Sequence, residues 1–346
     1  MKVSVIVCTH NPRLDFLTHV IEALKAQTLP TSLWELLIVD NASTTPLAPV
    51  LNLAWHPHQQ VVREEKLGLT YARLRGITES AGDVLVFVDD DNVLHTNYLE
   101  QTLVVAKKHP RIGSWGGSVH PQFEQPPPDW TRRYWEMLAI KEVTQDHIGA
   151  SPIGAGLCIR RPVALHYCQQ VLDCPLRLVL GRTGSSLVSA EDMDLARCAK
   201  ALDLEMGVFA ALQLTHLIPA HRLTEEYLLR LMEAMEFSNL LFAWLDSPDR
   251  TPKAPPNITL KKRIRMFYNF IRKFGRKRRF HQAKRRGSRA FYQILPLLQM
   301  EVNYSDAVQL CARAQKLLKQ AGLNDWVEYP CQDSRQFLRE TATHHD

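Results

Sequence analysis

The feature that most limits what this chain can fold into is the alternation of short apolar runs with amphipathic runs between Met1 and about Val119. Val3–Cys8 reads as a strand and Leu14–Gln27 as a helix. Trp34–Val39 reads as a second strand, Val61-Val62 as the start of a short one, and Leu69–Ser80 as a helix. Val84–Val88 is the next strand and Tyr98–His109 the next helix. β-Branched and aromatic runs of four to eight residues are strand-like, whereas longer runs with helical spacing are not. Strand–helix alternation predicts an α/β fold with a mostly parallel, doubly wound sheet flanked by helices.

In such a sheet the carboxyl ends of the strands form the crevice where ligands bind. Val84–Val88 runs straight into Asp89-Asp90-Asp91. Three adjacent carboxylates repel one another, which points to a missing divalent cation, alone or with phosphates. Asp is equally at home in a solvated turn or at a helix N-cap, so both readings stand for this tripeptide alone. Other strand ends are also polar: Thr9-His10-Asn11-Pro12-Arg13 follows the first strand and Asp40-Asn41-Ala42-Ser43 the second. Glu191-Asp192 opens a helix after the loop Gly181–Ser186. Each alone reads as a turn or as first-turn helix charge. Their shared position at strand and helix ends is harder to ascribe to turns.

Beyond residue 120 the pattern changes. Pro126-Pro127-Pro128 breaks regular structure, and Trp130, Tyr134 and Trp135 add aromatic surface just after it. Gly154–Ile159 reads as a strand whose glycines allow close backbone approach. The chain past Leu223 looks helical, with Pro255-Pro256 as a boundary. Of the 346 residues, 45% are hydrophobic and 23% charged, as in a soluble protein with a sizeable core. The longest clean apolar runs are strand-sized, too short to span a membrane, and the N-terminus does not resemble a signal peptide. Seven scattered cysteines suit reduced thiols in a cytoplasm. Residues 261–289 hold fourteen Lys or Arg and no acid, leaving −8 on the rest of a chain whose net charge is +6.

Taken in order, Val5-Ile6-Val7-Cys8-Thr9-His10-Asn11-Pro12-Arg13, Ile38-Val39-Asp40-Asn41-Ala42-Ser43, Gly68-Leu69-Thr70-Tyr71-Ala72-Arg73, Ala81–Asp91 and Ala190-Glu191-Asp192 resemble family 2 glycosyltransferases of the GT-A fold. The resemblance runs from Val3 to Arg222. Gly154-Ala155-Gly156 and His216-Leu217-Ile218-Pro219 are similar to a bacterial branch that builds extracellular polysaccharide. It implies a GT-A (Rossmann-like) domain over 1–222, with a nucleotide-binding half at 1–119 and an acceptor-binding half at 120–222. A helical region at 223–346 follows, carrying the basic strap.

The resemblance also implies an inverting transfer of a sugar from a nucleotide-sugar, expected to be a UDP-sugar, to a glycan or lipid-linked acceptor. Asp40 would accept a hydrogen bond from the base and Asp89 would hold the ribose. Thr9, Asn11 and Arg13 would line the same pocket, with Asp90 counted beside them unless it only caps the turn. Asp91 would ligate Mg²⁺ or Mn²⁺, and His216 is either a further ligand or a structural histidine. Arg73 would contact the diphosphate, or be a surface helix charge. Asp192 and Glu191 would be the catalytic acids, with Asp192 the general base, its carboxyl raised toward working pH by burial beside Glu191. Two rivals remain: a sugar-nucleotide pyrophosphorylase, which would want glycines in the Thr9–Arg13 loop, and a non-catalytic binding protein of the same fold. The expected location is the cytoplasm. The strap at 261–289 offers a means of peripheral attachment to the anionic inner face of the cell membrane, and no nucleic-acid partner is expected.

Overall fold

Val3–Thr9 (β1) is buried at all seven positions, as a strand covered on both faces must be. It lies between Trp34–Asn41 (β2) and Val84–Asp89 (β4), parallel to both, and Gln59–Glu64 (β3) extends the sheet beyond β2. The computed structural model describes residues 1–246 and 275–301. These form two compact units, one from residues 1–178 and 191–223, the other from 179–190 and the described residues after 223.

The helices of the first unit are Leu14–Lys25 (α1), Leu69–Glu79 (α2), Tyr98–Lys108 (α3), Arg161–Asp173 (α4) and Glu191–Ala201 (α5). Successive strand side chains point to opposite faces, and the core divides accordingly. Val3, Val5, Val7, Val84, Val86 and Val88 share one apolar cluster with Leu17, Val20 and Leu24 of α1 and with Leu99 and Leu103 of α3. Ile6, Leu37, Val39, Leu85 and Phe87 share the other with Leu74 and Ile77 of α2, Tyr167 of α4 and Leu195 of α5. The helices therefore cover both faces, as the alternation predicts.

The second half of the sheet is laid differently. Asn92–Leu94 (β5), Ile112–Phe123 (β6), His147–Ile148 (β7), Cys158–Arg160 (β8) and Glu205–Ile218 (β9) complete an order β3-β2-β1-β4-β8-β6-β9-β5, with β7 also on β9. Here β8 is antiparallel to β4 and β6, and β5 and β7 are antiparallel to β9, whereas β6 and β9 run parallel. The strand predicted at Gly154–Ile159 begins only at Cys158. Gly154 to Leu157 is a turn closed by a Leu157 N–H to Gly154 carbonyl bond of 3.2 Å, with Gly156 in the left-handed region.

In the second unit, Glu225–Asp246 (α6) packs on Arg276–Glu301 (α7). Arg276 and Arg279 pair with Glu225, Lys284 with Glu236 and Arg286 with Glu233. Much of the described part of the basic strap thus faces acids of α6. Lys277, Arg285 and Arg289 are exposed, and residues 261–274 of the strap lie outside the described residues. No helix among the described residues is long and apolar enough to cross a membrane.

Candidate active site

The register of the parallel strands brings three of the polar segments to one edge. Thr9 lies beside Asp40, and Cys8 beside Asp89. The loops after these strands are tied together. The His10 ring donates from Nδ1 to the Asn41 carbonyl at 2.7 Å, and the Asn11 N–H donates to Ser43 Oγ at 2.9 Å. Asn11 Oδ1 accepts from the Thr44 N–H at 2.8 Å. Asn11 sits at φ +46, a left-handed conformation that Asn tolerates better than most residues. Asn41 extends the network, donating to the Lys66 carbonyl at 2.6 Å and accepting from the Gly68 N–H at 2.8 Å. His10, Asn41 and Ser43 therefore build the crevice, a role their ordinary turn composition does not reveal.

Several expected residues are engaged otherwise than the resemblance implied. Asp40 is only 1% exposed, and its carboxylate accepts from the Ser43 and Leu47 N–H groups at 3.0 and 3.1 Å and from Arg63 at 2.9 Å. Burial pushes this carboxyl up, but those hydrogen bonds and the Arg63 charge outweigh it and hold it below the usual range. The Asp40 carboxylate thus ties down the loop that follows β2. Arg13 forks onto Asp15 and onto Glu124 at 2.8 Å, over the Phe16 ring, so its donors are already directed at carboxylates. Glu124 also accepts from the Ala220 N–H.

Arg73 is not a surface helix charge. It is 3% exposed, 3.3 Å from Glu191, itself 2% exposed, and 3.8 Å from Asp89. A buried guanidinium in contact with a buried carboxylate acts as its counter-ion, so the Glu191 carboxylate is already engaged by Arg73. The acids of the first turn of α5 are sorted by their partners. Glu191 is held by Arg73 and Asp194 by Arg177, whereas Asp192 is half-buried. Asp192 Oδ2 accepts from the Gly154 N–H at 2.8 Å and Oδ1 from the Met193 N–H at 2.8 Å. A Cβ at residue 154 would lie 2.8 Å from that same Oδ2, so a larger residue there would press on the Asp192 carboxylate.

The triple aspartate divides its contacts. Thr9 donates its hydroxyl to Asp90, while burial and the adjacent Asp91 charge push the Asp90 carboxyl up to about 7. The Asp89 side chain is 38% exposed, against 10% for Asp91. Asp91 is brought to His216 by the antiparallel pairing of Asn92 with His216, and the Leu217 N–H donates to the Asp91 carbonyl at 2.8 Å. His216 Nε2 then lies 3.3 Å from Asp91 Oδ2. His216 Nδ1 is 3.0 Å from the Leu138 carbonyl, which only a protonated nitrogen can satisfy. In the neutral ring Nε2 therefore keeps its lone pair.

A carboxylate oxygen and an imidazole nitrogen converging in this way are ligands of the kind a divalent ion uses. No group of three or more His, Cys, Asp or Glu side chains placed for a metal occurs among the described residues. The set fits an ion that takes one or two protein ligands and completes its shell with substrate phosphates and water. A further residue, which no local pattern marks, contacts both: Arg222 Nη1 lies 3.0 Å from Asp91 Oδ2 and 3.3 Å from His216 Nε2.

Residues 4–161 match the family described as Glycosyl transferase family 2. A 102-residue segment is 33% identical to "Glycosyltransferase AglE" of Haloferax volcanii, covering 29% of this chain and 33% of that protein. A 172-residue segment is 28% identical to "Glucosyl-dolichyl phosphate glucuronosyltransferase" of the same organism, covering 48% and 54%. The chain thus spans between about a third and about half the length of these relatives. Among solved structures, that of GalNAc-T7 with UDP, GalNAc and Mn²⁺ is similar at a TM-score of 0.48 and 17% identity, covering 78% of this chain and 54% of that one.

Proposed function

We propose that this chain, whose residues 4–161 match glycosyltransferase family 2, is an inverting enzyme transferring a sugar from a nucleotide-sugar, with UDP as the favoured carrier. The observation that carries the reading is the sorting of acids on α5: two are locked in buried arginine pairs, and Asp192 is the half-buried one. Its carboxylate takes the proton of the acceptor hydroxyl as that oxygen attacks the anomeric carbon. The bond from that carbon to the diphosphate oxygen breaks, and the nucleoside diphosphate leaves with the electron pair. Attack opposite the leaving group inverts the anomeric centre.

Asp89 faces the ribose, and the Thr9–Arg13 and Asn41–Thr44 loops form the walls beside it. Asp91 and His216 would hold Mg²⁺ or Mn²⁺, which when bound neutralises charge on the departing diphosphate. Residues 1–119 form the nucleotide-binding half and 120–222 the acceptor-binding half. The glucosyl-dolichyl phosphate in one relative's name supports a lipid-linked acceptor, a glycan of a polysaccharide pathway being the other. A cytoplasmic protein attached to an anionic membrane surface through Lys277, Arg285 and Arg289 suits such a substrate. Flotation with anionic vesicles tests that attachment, which the triple glutamine variant should lose.

Thermal shift across sugar nucleotides, with and without Mn²⁺, tests the donor, because a ligand that binds only the folded protein must stabilise it. Asp91→Asn is expected to abolish the Mn²⁺-dependent part of the shift. Asp192→Asn is expected to keep the shift and to lower turnover by roughly 10²–10⁴-fold, the range of general-base catalysis. Near-normal turnover by Asp192→Asn would overturn the base assignment.

A further inference from the structure

Asp91 Oδ2 and His216 Nε2 approach to 3.3 Å. In the neutral ring both present lone pairs, because the Leu138 carbonyl holds the other ring nitrogen as the donor. Two acceptors at that distance repel unless a donor or a cation stands between them. Arg222 supplies it: one guanidinium nitrogen reaches both, at 3.0 and 3.3 Å. The arginine comes from the short turn Ala220–Leu223 that leaves β9, closed by an Arg222 N–H to Pro219 carbonyl bond of 3.0 Å. Its side chain is 23% exposed, against 10% for Asp91 and 7% for His216, so of the three it is the one nearest to water.

A divalent ion would use the same two lone pairs. The guanidinium and the ion therefore compete for one position, and each satisfies the ligands the other leaves. We propose that Arg222 is the resident counter-ion of the metal site, holding Asp91 and His216 in place when no metal is bound and giving way when the metal loads. This rests on the metal-binding role of Asp91 in the proposed function. It makes metal affinity a balance between the ion and a side chain of the protein itself. It also keeps the acid cluster charge-compensated between turnovers, when neither diphosphate nor metal is there.

Mn²⁺ binding to the full chain, followed by the electron paramagnetic resonance of the free ion, tests the competition. Removing the competitor with Arg222→Gln should tighten Mn²⁺ binding, roughly tenfold if the displaced contacts are worth a charge-assisted hydrogen bond. Arg222→Lys, which keeps a cation, should stay near the wild type. Asp91→Asn should lose the site in either background. Unchanged or weaker binding by Arg222→Gln, with Asp91→Asn still abolishing it, overturns the counter-ion role and leaves the metal site standing. Mn²⁺ binding that survives Asp91→Asn overturns the metal site itself, and the counter-ion role with it. A second measurement needs no variant. Mass-mapped phenylglyoxal labelling of Arg222 in the wild type should rise severalfold on adding Mn²⁺, and labelling that ignores Mn²⁺ overturns the proposal.

Discussion

Two of the arginine–carboxylate contacts at this crevice differ in kind. Arg73 meets Glu191 at 3.3 Å, with both side chains almost wholly buried. Arg222 meets Asp91 at 3.0 Å, with the arginine 23% exposed. The distances are alike, so proximity alone does not tell them apart. Burial does. Neither partner of the first pair can leave without stranding a charge away from water, whereas the second has solvent beside it to receive the guanidinium. The first is a fixture of the scaffold, and the second is open to exchange.

The largest expected effect is at the buried pair. Arg73→Met leaves Glu191 without its counter-ion, and breaking a buried pair from one side costs about 3–5 kcal/mol. Chemical denaturation should show that loss, and the double variant Arg73→Met/Glu191→Gln should recover much of it. A loss below about 1 kcal/mol for the single variant would remove the distinction between the pairs.

Gly154→Ala comes next. Its Cβ would press on Asp192 Oδ2, and overpacking of this kind costs typically 1–3 kcal/mol. Displacement of the base should also lower kcat by on the order of 100-fold, with sugar-nucleotide binding retained in the thermal-shift assay. Equal loss of donor binding would show that the turn at 154 supports more than Asp192.

At the open pair, Arg222→Gln should lower metal-free stability by less than Arg73→Met does, measured in chelator, because the arginine is partly exposed. A loss as large as that of Arg73→Met would make the two pairs equivalent. The smallest effect is expected at Arg63, on the rim of Asp40. The Asp40 carboxyl is held below its usual range in the folded protein, so it favours the folded state above the unfolded-state value and loses that advantage as pH falls. Arg63→Met removes one cause of the depression and should move the acid limb of the unfolding curve slightly upward in pH.

Much of the scaffold was legible in the chain because its signals are local. The runs at Val3–Cys8, Trp34–Val39 and Val84–Val88 became strands within one or two residues of their expected ends. Leu14, Leu69, Tyr98 and Glu191 each begin the helix expected there. Gly154 misled on one count, since the residues after it form a turn before the strand starts. The site was legible as a set of positions and less so as a set of roles. Asp40, Arg73, Arg13 and Glu191 all reach the crevice, yet each is engaged by another protein group.

By itself the sequence determined the alternation that builds the sheet and the acids at its carboxyl edge, because apolar period and strand-end chemistry are properties of a few adjacent residues. Only the tertiary structure decided which of those charges are walled in and which are offered. The contacts that decide it join Arg73 to Glu191, Gly154 to Asp192 and Asp91 to His216 and Arg222, across 38 to 131 residues of chain. Such contacts follow from strand order and antiparallel pairing, and no local pattern records them.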